Sequence, residues 1–180
     1  MKRLALVGLS MLAAALAAFP HAASATSDLA VPAVVCVPGN TQTMNAENKP
    51  LTAGVVRQMG RNTPPRSYYC PIFNPDLTAA QPSWHTLRLT YADNTAAKGN
   101  ITLRLFAKSR AKVVTDPPLG TTFVVAQVAS QAGVGVREVS APFSAALDFD
   151  RYSYWFVLDL AALTGTVGAQ VDAHELQLTD

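Results

Sequence analysis

Apolar and polar residues alternate with a period of two through most of the chain. In WHTLRLTY, from Trp84, Leu87, Leu89 and Tyr91 fall on one parity and Thr86, Arg88 and Thr90 on the other. In the segment from Ile101 to Lys108, Ile101, Leu103, Leu105 and Ala107 alternate with Thr102, Arg104, Phe106 and Lys108. Tyr152 to Leu160 (YSYWFVLDL) sets Tyr154, Phe156 and Leu158 against Ser153, Trp155, Val157 and Asp159. Period two sends one set to a core and the other to the opposite face of a strand. Near the C-terminus Val167, Ala169 and Val171 alternate, and then Leu176 and Leu178 shift parity. A shift inside one strand predicts a bulge near Ala173-His174.

Shorter strand candidates lie at Asp28 to Val37, around Val55-Val56, at RSYYCPIF (Arg66 to Phe73), at TTFVVAQVA and at VGVREV; SAPFSAALDF is a further apolar segment. Breaks rich in Gly, Pro, Asn and Asp separate them: Pro38-Gly39-Asn40, Asp93-Asn94, Lys98-Gly99-Asn100 and Asp116-Pro117-Pro118. Many short strands at close spacing, with no long amphipathic helix, predict an all-β domain. The expected form is an antiparallel β-sandwich, with the jelly roll as its specific type and a β-barrel as the alternative.

The first residues read differently. Lys2 and Arg3 precede a run from Leu4 to Phe19 that is all apolar, Gly or Ser. Pro20 follows, and then Ala23-Ser24-Ala25. This is the three-part pattern of a secretory signal, with cleavage expected after Ala25. The run is too short for a spanning helix, which needs roughly 20 residues. The expected mature chain, residues 26–180, is one domain, exported to the periplasm or secreted. Its two cysteines, Cys36 and Cys70, predict one disulfide in such a compartment.

Losing Lys2 and Arg3 leaves 12 basic and 12 acidic residues. That balance argues against nucleic acid as a partner. The charges are unevenly spread: ten basic against four acidic residues from Thr26 to Lys112, two against eight from Val113 onward. Early and late strands interleave in antiparallel folds, so the halves are expected to neutralise each other across a sheet.

Candidate chemistry is sparse. The mature chain has two histidines, His85 and His174, and neither lies in H-E-x-x-H or beside a cysteine cluster. No G-x-S-x-G elbow is present. Asp148 and Asp150 share a parity and could serve as an acid/base pair or hold calcium, but a solvated turn is the plainer reading. The basic residues Arg104, Lys108, Arg110 and Lys112 could touch an acidic polymer or a lipid headgroup, and guarding a sheet edge is the plainer expectation. Of Tyr68, Tyr69, Trp84, Tyr152, Tyr154 and Trp155, most are expected in the core or in cross-strand pairs. No catalytic residue, cofactor or metal is therefore expected.

The segment LDFDRYSYWFVLDL, preceded by PFSAAL and followed by a closing strand, resembles the end of short exported bacterial proteins without assigned function. The resemblance spans about the last forty residues. It implies a β-sandwich and carries no catalytic residue to transfer.

The functional expectation is a non-catalytic exported module that binds an unknown protein or a polysaccharide, or takes part in an assembly. The segment 41–66, flanked by the disulfide, is the expected recognition loop. The alternative is a small secreted hydrolase using His85 or the Asp148/Asp150 pair. A convergent polar pocket would favour the hydrolase, and an exposed apolar or aromatic patch would favour binding.

Overall fold

The alternation of the sequence folds the described residues into ten strands. A computed structural model describes residues 28–39, 54–59, 65–73, 82–95, 100–110, 120–161 and 169–180. The strands are β1 (Leu29–Pro32), β2 (Val37–Pro38), β3 (Val56–Met59), β4 (Arg66–Ile72), β5 (Thr86–Asp93), β6 (Ile101–Ser109), β7 (Thr122–Ala129), β8 (Gly133–Pro142), β9 (Tyr152–Leu160) and β10 (Gln170–Thr179). The signal segment lies outside the described residues, as does most of 41–66; within the latter, β3 is the short strand expected near Val55-Val56. Among the described residues no helix is long and apolar enough to cross a membrane.

The strands form two antiparallel five-stranded sheets. Sheet I runs β1-β10-β5-β8, with β3 pairing the same edge of β10 as β1; sheet II runs β2-β4-β9-β6-β7. From β3 onward, every connection except the β6–β7 hairpin passes from one sheet to the other. The orders β3-β10-β5-β8 and β4-β9-β6-β7 are those of an eight-stranded jelly roll. The two sheets share no ladder among the described residues, so the fold is a sandwich and not a closed barrel.

The core follows parity. Leu87, Leu89 and Tyr91 of β5 and Leu176 and Leu178 of β10 face inward from sheet I; Leu103 and Leu105 of β6, Phe156 and Leu158 of β9 and Tyr68 and Cys70 of β4 face inward from sheet II. All are nearly or completely buried, and each large side chain so buried contributes roughly 1.5–3 kcal/mol. Trp84 and Leu147, also buried, belong to the same core. The β10 bulge falls between Ala173 and Glu175, which lets Val171 and Leu176 share the inner face across the parity shift.

One predicted strand is divided. Asp28 to Val37 does not run as a single strand: β1 pairs with β10 in sheet I, a 3-10 turn follows at Ala33–Val35, and β2 pairs with β4 in sheet II. Pro32 has no N–H to carry a ladder onward. The turn moves the chain between sheets, and Cys36 then meets Cys70 with Sγ atoms 1.95 Å and Cα atoms 4.4 Å apart. The disulfide fixes the turn between β1 and β2 to β4 and suits an oxidising compartment.

The charge asymmetry resolves within the sheets. Arg57 pairs with Asp172, Arg88 with Glu138 and Arg104 with Asp159. Each pair joins a basic residue of the first half to an acidic residue of the second, as interleaved strands require.

Candidate binding face

The outer faces of the two sheets differ in chemistry. Sheet I turns Thr86, Arg88 and Thr90 of β5 and Asp172, Glu175 and Gln177 of β10 outward. Arg57 holds Asp172 with two hydrogen bonds, Nε to Oδ1 at 2.6 Å and Nη2 to Oδ2 at 2.7 Å, and Gln170 Nε2 adds a third at 2.7 Å. The Asp172 carboxylate raises the Arg57 pKa above its ordinary value through that hydrogen bond, against the opposing effect of desolvation. This face is ion-paired at its centre, with the exposed apolar residues Val136 on β8 and Met59 on β3 towards its edges.

Sheet II turns aromatic and apolar side chains outward. Pairing register sets Pro71, Trp155, Phe106 and Val124 in one row across β4, β9, β6 and β7. The next row is Val37, Tyr69, Val157, Arg104 and Gln127, and beyond it lie Ser67, Asp159 and Thr102. Phe106 and Trp155 stack with ring centroids 5.6 Å apart and planes within 10°. The Arg104 guanidinium lies 5.6 Å from the Phe106 centroid, a cation–π contact, and also pairs with Asp159. Asp159 Oδ1 accepts a 2.5 Å hydrogen bond from Ser67 Oγ. Tyr69 is 41% exposed, Val37 57%, Val124 46% and Phe73 at the end of β4 75%. Val157 is buried although it faces outward, so its neighbours on this face cover it.

Gly39 shapes the platform at Tyr69. Its N–H donates to the Ser67 carbonyl at 2.8 Å, and a Cβ there would collide with the Tyr69 ring. The ring therefore lies directly over the Gly39 backbone, a close approach that a residue without a side chain permits.

The basic residues do not guard an edge. β6 lies between β9 and β7, so Arg104 and Lys108 belong to the interior of the platform. Lys112 lies outside the described residues. At the end of β6, Lys108, Ser109, Arg110, Gly120 and Ser153 line an open cleft of about 500 Å³.

The candidate catalytic residues each have separate local surroundings. His85 is exposed, its ring lies 6.5 Å from Phe143, and its backbone bonds to Thr179 and Phe143. His174 is the extra residue of the β10 bulge. Asp148 Oδ1 accepts from the backbone N–H groups of Asp150 at 3.0 Å and Arg151 at 3.1 Å, which makes the turn into β9, and Asp150 is exposed. The Asp148 N–H in turn donates to Tyr154 Oη at 2.9 Å. Burial pushes the Tyr154 pKa up to about 12, from 10.0, and burial also raises that of Tyr68. Among the described residues, no group of three or more His, Cys, Asp or Glu side chains could hold a metal ion.

A second polar cluster escaped the sequence reading. Asp93 is fully buried, yet its carboxylate accepts from Thr95 N at 3.0 Å, Thr95 Oγ1 at 2.6 Å, Asn100 Nδ2 at 3.2 Å and Ser130 Oγ at 3.1 Å. Ser130 Oγ also accepts from Ile101 N at 3.1 Å. These bonds pin the ends of β5, β6 and β7 together and fill the carboxylate, which makes Asp93 a structural anchor.

No protein-family model matches the chain, and no curated protein sequence does. Among solved structures it is similar to a family 11 carbohydrate-binding module from Clostridium thermocellum, solved in complex with a β-1,3-1,4-mixed-linked tetrasaccharide, at 12% identity and a TM-score of 0.37, over 69% of this chain and 74% of that one. It is also similar to a family two carbohydrate esterase from Cellvibrio japonicus, at 10% identity and a TM-score of 0.38, over 85% of this chain and 33% of that one. Neither likeness is close enough to carry a ligand or an activity over to this chain.

Proposed function

We propose that the chain is an exported, non-catalytic binding module that takes a polysaccharide on the outer face of sheet II. One observation carries the reading: sheet II presents stacked and exposed aromatics outward, whereas among the described residues the outer face of sheet I carries ion pairs and no exposed aromatic ring. Exposed apolar patches of this kind mark interaction sites.

The chemistry of this face suits a sugar chain. Its apolar C–H faces can lie on Trp155, Phe106 and Tyr69, and its hydroxyl edges can meet Arg104, Asp159, Ser67 and Gln127. Arg104 and Asp159 already fix each other, so little side-chain freedom is lost on binding.

The test is retention of the mature protein on a panel of polysaccharides in affinity electrophoresis. At least one polymer should retard the wild type. Trp155→Ala should abolish the retardation, and Arg88→Ala on sheet I should leave it intact. Retardation that survives Trp155→Ala, or no retardation by any polymer, would overturn the proposal.

A further inference from the structure

We infer that the polysaccharide is acidic, and that Lys108 and Arg110 receive its carboxylate or sulfate in the cleft at the end of β6; this rests on the glycan reading above. The two flanks of the aromatic row differ electrostatically. On one flank the cation Arg104 is neutralised by Asp159, which leaves a polar surface suited to hydroxyls. On the other flank Lys108 follows Phe106 by two residues on the same face, and Ser153 precedes Trp155 by two. A spacing of two along a strand is about 7 Å. A ring resting on Phe106 and Trp155 therefore brings its substituents to Lys108 and Ser153.

Lys108 and Arg110 are both exposed, and among the described residues neither forms an ion pair with a carboxylate. The Arg110 Nη1 donates to the Phe149 carbonyl at 3.0 Å, which orients the guanidinium and leaves its other N–H groups available. Among the described residues the charges around them are Asp148, Asp150 and Arg151 in the turn before β9. Asp148 is engaged by backbone N–H groups, and Arg151 lies over the Tyr152 ring at 5.7 Å. Counting described residues, three cations stand here against two carboxylates. An oriented guanidinium beside an ammonium matches a carboxylate or sulfate, the guanidinium bonding two oxygens at once. Gly120 lines the same cleft, and among the described residues a Cβ there would meet Lys108 Cε alone, at an ordinary contact distance of 3.9 Å.

The experiment titrates the mature protein with polygalacturonate, alginate and dextran sulfate, each against an uncharged counterpart (the methyl esters and plain dextran), at low and moderate salt. At least one acidic polymer should bind about tenfold tighter than its neutral form at low salt, and the gap should narrow as salt screens it. Lys108→Gln with Arg110→Gln should remove the preference, and Lys108→Gln alone, which leaves the Phe149 contact in place, should reduce it. Equal binding of charged and neutral forms, or a preference unmoved by both variants, would overturn the acidic-ligand inference. Wild-type binding to neutral polymers alone, lost in Trp155→Ala, would overturn it while the platform reading stood. Acid-selective binding that Trp155→Ala leaves untouched would instead overturn the platform reading.

Discussion

Phe156 and Trp155 are neighbours in sequence and face opposite ways, so one pair of truncations tests the parity on which the account depends. Phe156 is fully buried, and its register partners are Cys70 on β4 and Leu105 on β6, also fully buried. Burying a phenylalanine contributes roughly 1.5–3 kcal/mol, and truncation adds the cost of an unfilled cavity, for about 3–5 kcal/mol in all. The site should collapse poorly, because Cys70 is fixed by its disulfide. Phe156→Ala is therefore expected near the upper half of that range. For a domain of about 150 residues this lowers Tm by roughly 8–20 °C. Trp155→Ala loses a stacking contact worth about 0.5–1.5 kcal/mol and partial burial. It should cost no more than about 2 kcal/mol while removing the centre of the binding face. Urea unfolding followed by far-ultraviolet circular dichroism gives both values, and similar m-values would show that the denatured states are comparable. A cost below about 1 kcal/mol for Phe156→Ala, or a larger cost for Trp155→Ala than for Phe156→Ala, would refute the assignment of faces.

Three further outcomes follow from particular contacts. Replacing Cys36 and Cys70 by Ala opens a link of 34 residues and should cost about 3–4 kcal/mol, read as a drop in urea midpoint; an unchanged midpoint would contradict the disulfide. Burial holds the folded Tyr154 hydroxyl neutral up to about pH 12 against 10.0 for a free tyrosine, so its contribution is complete below pH 10 and is lost between pH 10 and pH 12. Tyr154→Phe should flatten stability against pH across that window, and identical alkaline slopes would contradict the burial. Gly39→Ala should displace the Tyr69 ring and weaken ligand binding several-fold with little change in Tm; binding equal to wild type would show that Tyr69 lies outside the footprint.

The sandwich was legible because its strands alternate strictly. Leu87, Leu89 and Tyr91, and likewise Tyr154, Phe156 and Leu158, announce an inner face whatever the strand order. The bulge at Ala173-His174 was legible for the same reason, as a break in parity. Strand order was not, because period two says nothing about which strands become neighbours. The basic residues of β6 were therefore expected at an edge, although β6 has a partner on each side. The aromatic outer face of sheet II left a trace that composition hides: Phe106, Trp155 and Val157 occupy the polar parity of otherwise amphipathic strands. Recognition was expected in 41–66, most of which lies outside the described residues. The disulfide was legible from an expected export and an even cysteine count, whereas the division between β1 and β2 depends on Pro32, which only the paired strands reveal. Asp93 with Thr95 makes a local turn two residues long, but nothing in the sequence showed that Asn100 and Ser130 also reach that carboxylate from other chain segments. The local hydrogen bonds of Asp148 match the turn that its sequence suggested.

The chain has two tryptophans, and the fold separates them: Trp84 is fully buried in the core, while Trp155 lies in the outer row of sheet II. Quenching of intrinsic fluorescence by acrylamide therefore reports chiefly on Trp155. The direct test is to measure that quenching while titrating the mature protein with the polysaccharide that retards it. Saturating ligand should shield Trp155 and reduce the quenching to the residual level of Trp155→Phe, with a midpoint equal to the calorimetric Kd. Binding that is complete by calorimetry and leaves the quenching unchanged would place the ligand elsewhere and contradict the account.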